Sequence, residues 1–230
     1  MDVEVWSDIA CSWCYVGKRR LEAALARFEH ADEVNVVWRS FELDPTAPAT
    51  ATPEGSSAGL VAAMRGISLE RAWAMQRKMA DIAAEDGLDL HFERLRCGST
   101  FDAHRVLHLA QAHGLQGELK ERFLRAHFTE GAPMSDHATL RRLAAEAGVP
   151  EAEVVEVLVS DRYADAVRED ERTAAGFGVS AVPFFVVDRA IGASGALPPE
   201  ALLQLLQQGW ATKPRASVVT GGEACGPDGC

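Results

Sequence analysis

The chain has no stretch approaching the roughly 20 apolar residues that a bilayer-spanning helix requires, which argues against a membrane protein. It also lacks a positive excess: 23 Lys and Arg stand against 34 Asp and Glu, for a formal net charge of −11. Phosphate-driven nucleic-acid binding and attachment to anionic lipid both need clustered basic side chains, so neither is expected. The opening Met1-Asp2-Val3-Glu4-Val5-Trp6 is acidic where a secretory signal is basic, and no apolar core follows it. Export is not expected, and the cytoplasm is the expected compartment. Cysteine is scarce as well: five in 230 residues is too few for a disulfide scaffold, and the number is odd.

What remains is a composition of 47% hydrophobic and 25% charged residues, suited to a globular protein with a substantial core. Residues 3–6 alternate in polarity and read as a strand. A turn at Asp8-Ile9-Ala10 leads into a helix over 11–28, with Leu21, Leu25 and Phe28 at helical spacing, and 34–41 reads as a second strand. Strand, helix and strand form a βαβ unit. The Pro- and Ala-rich segment 45–53 has no periodic pattern and suits a linker into a helical region. Helices are predicted over 69–85, 101–112, 118–127, 136–147, 151–159 and 162–175, broken by Gly and Pro. Strand character returns at 182–187, with a hairpin partner at 190–194 and a last helix over 199–208.

This order predicts an α/β protein: a thioredoxin-like fold with a large all-helical insertion. The expected division is a discontinuous domain of residues 1–45 and 177–210 and an insertion of 46–176. Residues 211–230 are expected to form a Gly-rich flexible tail. No internal repeat appears, and nothing in the pattern specifies an oligomer.

The placement of the cysteines says more than their number. Cys11 and Cys14 form a Cys-x-x-Cys at a strand-to-helix junction, a strong signal for redox exchange. At a helix N-terminus the unpaired N–H groups and the dipole favour a thiolate, which makes Cys11 the attacking sulfur. Cys14, nearly one turn on, lies within reach but deeper, and would resolve a mixed disulfide. Half a zinc site is the competing reading, but its second half would have to be Cys225 and Cys230 at the far end, with no His nearby. No metal is expected.

Pro183 heads the apolar run 182–187. It is either a plain strand start or a cis peptide that sets the Val182 backbone beside Cys11, where an extended substrate can pair with it.

Taken together, these residues resemble the DsbA family of thioredoxin-like proteins, specifically its FrnE-like branch. The resemblance rests on Ser7-Asp8-Ile9-Ala10-Cys11-Ser12-Trp13-Cys14-Tyr15-Val16-Gly17-Lys18-Arg19 and Thr100-Phe101-Asp102-Ala103-His104-Arg105. It continues through Gly178-Val179-Ser180-Ala181-Val182-Pro183-Phe184-Phe185 and Ser194-Gly195-Ala196. It implies oxidation, reduction or isomerisation of protein or peptide disulfides, a cis Pro183 and peptide binding near Val182. Members of the branch usually carry Pro where this chain has Ser12, and often Asn where it has Ser99. Ser12 and Trp13, lying between the cysteines, would tune the redox potential, so the resemblance does not set the direction of exchange. No bound cofactor is expected, and glutathione stands as a candidate redox partner. The alternative comes from related folds, the kappa-class glutathione transferases and hydroxychromene carboxylate isomerases, which typically place Ser where Cys11 stands.

Cys225-Gly226-Pro227-Asp228-Gly229-Cys230 encloses a turn signal and forms a candidate second redox pair. The chain terminus beside Cys230 opposes its ionisation, which leaves Cys225 as the attacker. Cys97 reads as a reduced structural thiol. Asp8 reads as a cap for the first helix, with proton relay to Cys14 as the other option. His104 and His108, four apart with no accompanying Glu, read as surface or interface histidines. Met64, Met75, Met79 and Trp73 read as core or groove lining.

Overall fold

In a computed structural model of the chain, which describes residues 1–212, the alternation of the first strand sorts its side chains onto two faces. Val3 and Val5 of β1 (Asp2–Ser7) face one way and Trp6 the other. β2 (Asn35–Ser40) runs parallel to β1, with Asp2 opposite Asn35 and Ser7 opposite Ser40. Parallel neighbours need a crossover, which α1 (Ser12–Leu25) supplies. β3 (Phe184–Val187) pairs antiparallel with β1, and β4 (Ile191–Ser194) with β3, giving the order β2-β1-β3-β4. The turn between β3 and β4 holds Asp188 at φ 45° and Arg189 at φ 55°, the mirror-image turn that matches strand twist. Asp188 accepts the Asp2 N–H at 2.7 Å, which ties that turn to the start of β1.

One face of the sheet, carrying Val3, Val5, Phe185 and Val187, packs on Leu21 and Ala24 of α1 and on Leu202, Leu205 and Leu206 of α9 (Pro199–Thr212). Glu4 is buried, yet its carboxylate accepts from Arg39 Nη2 at 2.6 Å and Arg189 Nε at 2.9 Å. Burial would raise its pKa, but these two guanidinium groups outweigh it and hold the carboxyl below its ordinary value.

Between β2 and β3 the described chain is helical. α2 (Ser57–Arg65), α3 (Leu69–Glu85), α4 (Phe101–Ala112) and α5 (Gln116–Phe128) are followed by α6 (His137–Glu146), α7 (Glu151–Val159) and α8 (Ala164–Gly176). The core of this block, built around Leu107, Phe123, Leu140 and Val157, also takes in Ile9 from the turn after β1. Ile9 therefore pins the segment that leads into Cys11 to the helical block. Among the described residues no helix is long and apolar enough to cross a membrane.

Most element ends differ from the expected ones by one or two residues, and α1 stops at Leu25 rather than 28; two further differences have a clear cause. The strand expected from Val182 begins at Phe184, since Pro183 has no N–H to give a ladder. The last helix runs four residues past 208, where Trp210 stacks on His30 at 4.1 Å between ring centroids and meets Phe28 edge-on. α2, which has no separate sequence signal, is docked by the Ser57 hydroxyl donating to Phe92 O at 2.9 Å.

Gly209 marks the tightest contact of α9 on the sheet, because a Cβ there would lie 2.2 Å from Val187 Cγ1. Helix propensity favours Ala over Gly by about 1 kcal/mol, so the substitution sets propensity against overpacking. We expect overpacking to win: Gly209→Ala should lower unfolding free energy by roughly 1–3 kcal/mol in urea titration. A midpoint at or above the native one would contradict this packing.

Candidate active site

No Ser, Thr, Asp or Asn caps α1. Cys11 does so itself, at φ −96° and ψ 107°, with its Sγ accepting the Cys14 N–H at 3.2 Å. The sulfur is thereby held at the positive end of the helix, among N–H groups that have no intrahelical partner. On its other side the Cys11 thiol donates to Val182 O at 3.6 Å, and the Val182–Pro183 peptide is cis. This loop is held from two directions. Pro183 O accepts the Gly195 N–H at 2.8 Å, and Pro183 leans on α1 at Gly17, where a Cβ would come within 2.8 Å of its Cγ. Gly17 is needed in α1 for that close approach.

Cys14 is 1% exposed against 6% for Cys11, and it sits among Trp6, Ala174, Val182 and Val186. Burial pushes its thiol well up, the Cys11 sulfur adds to the shift, and Lys120 opposes it. Trp13 is 42% exposed, and Ser12 is partly exposed beside it. Both cysteines are thiols in this structure.

Beneath the pair lies a group of buried charges. Asp8, 2% exposed, accepts the Ala10 N–H at 3.3 Å and the Leu43 N–H at 2.8 Å, and His104 Nε2 lies 3.3 Å from its Oδ1. Burial alone would raise this carboxyl, but His104, the Leu43 N–H and Thr100 outweigh it and hold it at about 2. Asp8 is therefore not the cap of α1, and as a permanent carboxylate it makes a poor proton relay. It ties the turn before Cys11 to the segment after β2 and to α4. His104 is driven toward its neutral form by burial, despite Asp8. Since a carboxylate only accepts, the imidazole donates.

His108, one turn along α4, reaches a different partner set: Ser40 Oγ at 3.1 Å and Asp170 Oδ2 at 3.2 Å. Neither histidine lies on the surface, and they do not share a ligand site. Lys120 of α5 is also buried. Burial lowers its ammonium to about 8, and Cys14, Asp8 and Cys11 are the groups that hold it up.

The family model for the DSBA-like thioredoxin domain matches residues 2–207. This chain belongs to that family. The DSBA-like chain is similar to the crystal structure of a probable DsbA oxidoreductase from Streptomyces coelicolor, at 46% identity and a TM-score of 0.88, covering 100% of this chain and 98% of that one. It is 26% identical over 197 residues to the uncharacterized Bacillus subtilis protein YwbO, covering 84% of this chain and 90% of the relative. The cytosolic disulfide reductase DsbM from Pseudomonas aeruginosa, in a structure with glutathione, shares the fold at 19% identity and a TM-score of 0.65, with 92% of this chain and 100% of that one covered.

In this DSBA-like chain Cys11, Cys14, Val182 and Pro183 converge, and Ser12 and Trp13 flank them. Cys225 and Cys230 lie outside the described residues. Among the described residues no group of three or more His, Cys, Asp or Glu is arranged to hold a metal. Cys97 is free and half-buried; its backbone N–H donates to Thr52 Oγ1 at 2.9 Å, and burial raises its thiol, with Thr52 opposing. Met79 is buried, whereas Met64 is 76% exposed. The site residues missed by sequence are Lys120, set in a charged Glu-Leu-Lys-Glu-Arg run, and Asp8 and His104 as a bonded pair.

The depressed Asp8 fixes a pH dependence. Its folded value of about 2 lies below the unfolded 3.8, so its stabilisation is fully present above pH 4 and is lost as pH falls toward 2. His104 and His127, both lowered by burial from 6.5, lose stability in the same direction at higher pH. Acid unfolding followed by circular dichroism should show the native chain losing about 2 kcal/mol more between pH 4 and 2 than Asp8→Asn. Parallel acid limbs would contradict the assignment.

Proposed function

We propose that this chain is a thiol-disulfide oxidoreductase and disulfide isomerase of the FrnE-like branch, acting on protein or peptide disulfides in the cytoplasm. The observation that carries the reading is Cys11 capping α1 with its sulfur against the Val182 carbonyl, directly above a buried Cys14. In the reducing direction the Cys11 thiolate attacks one sulfur of a substrate disulfide, and the other sulfur leaves as a thiolate. Cys14 then attacks Cys11 Sγ, forming the Cys11–Cys14 disulfide and releasing the second substrate sulfur as a thiol. Run backward, the same steps oxidise a dithiol. Arrested at the mixed disulfide, they reshuffle bonds.

Two features support the substrate class. Trp13 is exposed at the rim, an apolar surface of the kind that binds a peptide chain. The backbone at Val182, beside the sulfur, offers main-chain groups for an extended segment. Glutathione is the small-molecule partner this reading favours, in line with the glutathione-bound structure of the cytosolic reductase of the same fold. Cys225 and Cys230 serve as a second pair that exchanges with the first.

The test compares reduction of insulin and refolding of a scrambled-disulfide protein by the native chain and its variants. Cys11→Ser should abolish both activities. Cys14→Ser should accumulate a substrate adduct on Cys11, visible by intact mass. Cys225→Ser with Cys230→Ser should slow turnover without abolishing it. A Cys11→Ser variant as active as the native chain would overturn the reading and turn attention to glutathione-dependent isomerisation of small molecules.

A further inference from the structure

Lys120 is 1% exposed, and its Nζ has no hydrogen-bond partner among the described residues. A buried ammonium without a partner is costly, so its neighbours matter. Glu121, next in the chain, is engaged elsewhere: it bonds Lys18, Arg19 and Tyr15. Asp8 has its oxygens occupied by Ala10, Leu43 and His104. What faces Lys120 across the site is therefore Cys14, Cys11 and Asp8 on the negative side and Lys18 on the positive, with the neutral His104 held on Asp8. The ring of Trp38 lies 5.8 Å from Nζ, a modest cation–π contact.

The lysine is carried there by a fixed register. Gln116, one turn earlier on α5, accepts the Trp38 N–H at 2.9 Å and donates to Trp38 O at 2.9 Å. This two-pronged amide contact clamps α5 to β2, and residues four apart share a helix face. The insertion thus delivers one positive charge beneath the redox pair.

Exchange needs a charge at Cys14 only in its second half. While Cys11 attacks a substrate, Cys14 can stay a thiol. To resolve the mixed disulfide it must become an anion in a buried position. We propose that Lys120 is the electrostatic partner of Cys14 in this resolving step, its ammonium holding the thiolate charge while Cys14 Sγ attacks Cys11 Sγ. In that step the Cys14 S–H bond breaks and the Cys14–Cys11 S–S bond forms. The bond from Cys11 to the substrate sulfur breaks, and that sulfur leaves with the electron pair and takes up the proton. The cysteine pair is oxidised and the substrate sulfur is reduced. Lys120 passes no proton to the reacting sulfurs in this step; while it is an ammonium it acts through Cys14 as a positioning residue. The assignment rests on the thiol-exchange reading above. Asp8 competes for the same ammonium, since its carboxylate and the two sulfurs are the negative groups that hold Lys120 charged.

The experiment mixes the reduced full-length chain with oxidised glutathione, quenches with acid at intervals, and follows the Cys11–glutathione adduct by intact mass and peptide mapping between pH 6 and 10. The native chain should form and then lose the adduct. Lys120→Met should form it at a rate changed far less than its loss, which should slow by roughly tenfold, equivalent to about one pKa unit at Cys14. The pH profile of that loss should move upward. Lys120→Arg, which keeps the charge, should recover most of the native rate, and Asp8→Asn should accelerate the loss. A Lys120→Met chain that loses the adduct at the native rate across the range would overturn the assignment. So would an Asp8→Asn chain with no acceleration, an arm that holds even where Lys120→Met does not fold. If the native chain forms no Cys11 adduct, the thiol-exchange reading itself falls and takes this assignment with it.

Discussion

The arrangement depends on one contact, the Cys11 sulfur wedged between the start of α1 and the Val182 carbonyl. A helix N-terminus offers N–H groups and a positive field but does not choose what occupies it. Here the cysteine is both cap and reactive group, so folding the helix places the sulfur. The facing loop has to come close enough to touch it. Gly17 allows that approach by leaving room for the Pro183 ring, and the Gly195 N–H fixes the loop from the sheet side. A side chain at Gly17 would push the loop away from the sulfur it faces.

The helical insertion is more than a cover for the sheet. α4 brings His104 to Asp8 and His108 to Asp170, while α5 brings Gln116 to Trp38 and Lys120 beneath the cysteines. Each of these contacts joins the insertion to the strand-and-helix unit that carries the motif. Several bury a charge or a titratable ring, which adds little stability by itself but is sensitive to geometry. The register of the insertion on the sheet and the electrostatics of the site therefore come from the same residues.

How much of this was legible in the sequence follows from how local each signal is. The Cys-x-x-Cys, the proline heading a buried strand and the helices Leu69–Glu85, Phe101–Ala112 and Glu151–Val159 are each written in a short window, and each appears where the pattern predicts it. Asp8 looked like a cap because an Asp just before a helix usually is one, but a cysteine took that place. His104 and His108 looked like surface residues because nothing in their window shows β1, β2 and α8 closing over them. Lys120 was hidden by its charged neighbours, and only the packing of α5 on β2 reveals that it points inward. The extra turn of α9 likewise depends on Phe28 and His30, distant in sequence.

The central claim is that Cys11 and Cys14 form one reversible two-electron couple. The most direct measurement equilibrates the full-length chain in glutathione buffers of graded ratio, traps free thiols by alkylation in acid, and maps the label by mass spectrometry. The account predicts that both cysteines become protected together, in a single reversible transition with a slope of about 30 mV per decade. Cysteines that stay alkylated at every ratio, or that acquire glutathione independently without forming a bond to each other, would contradict it.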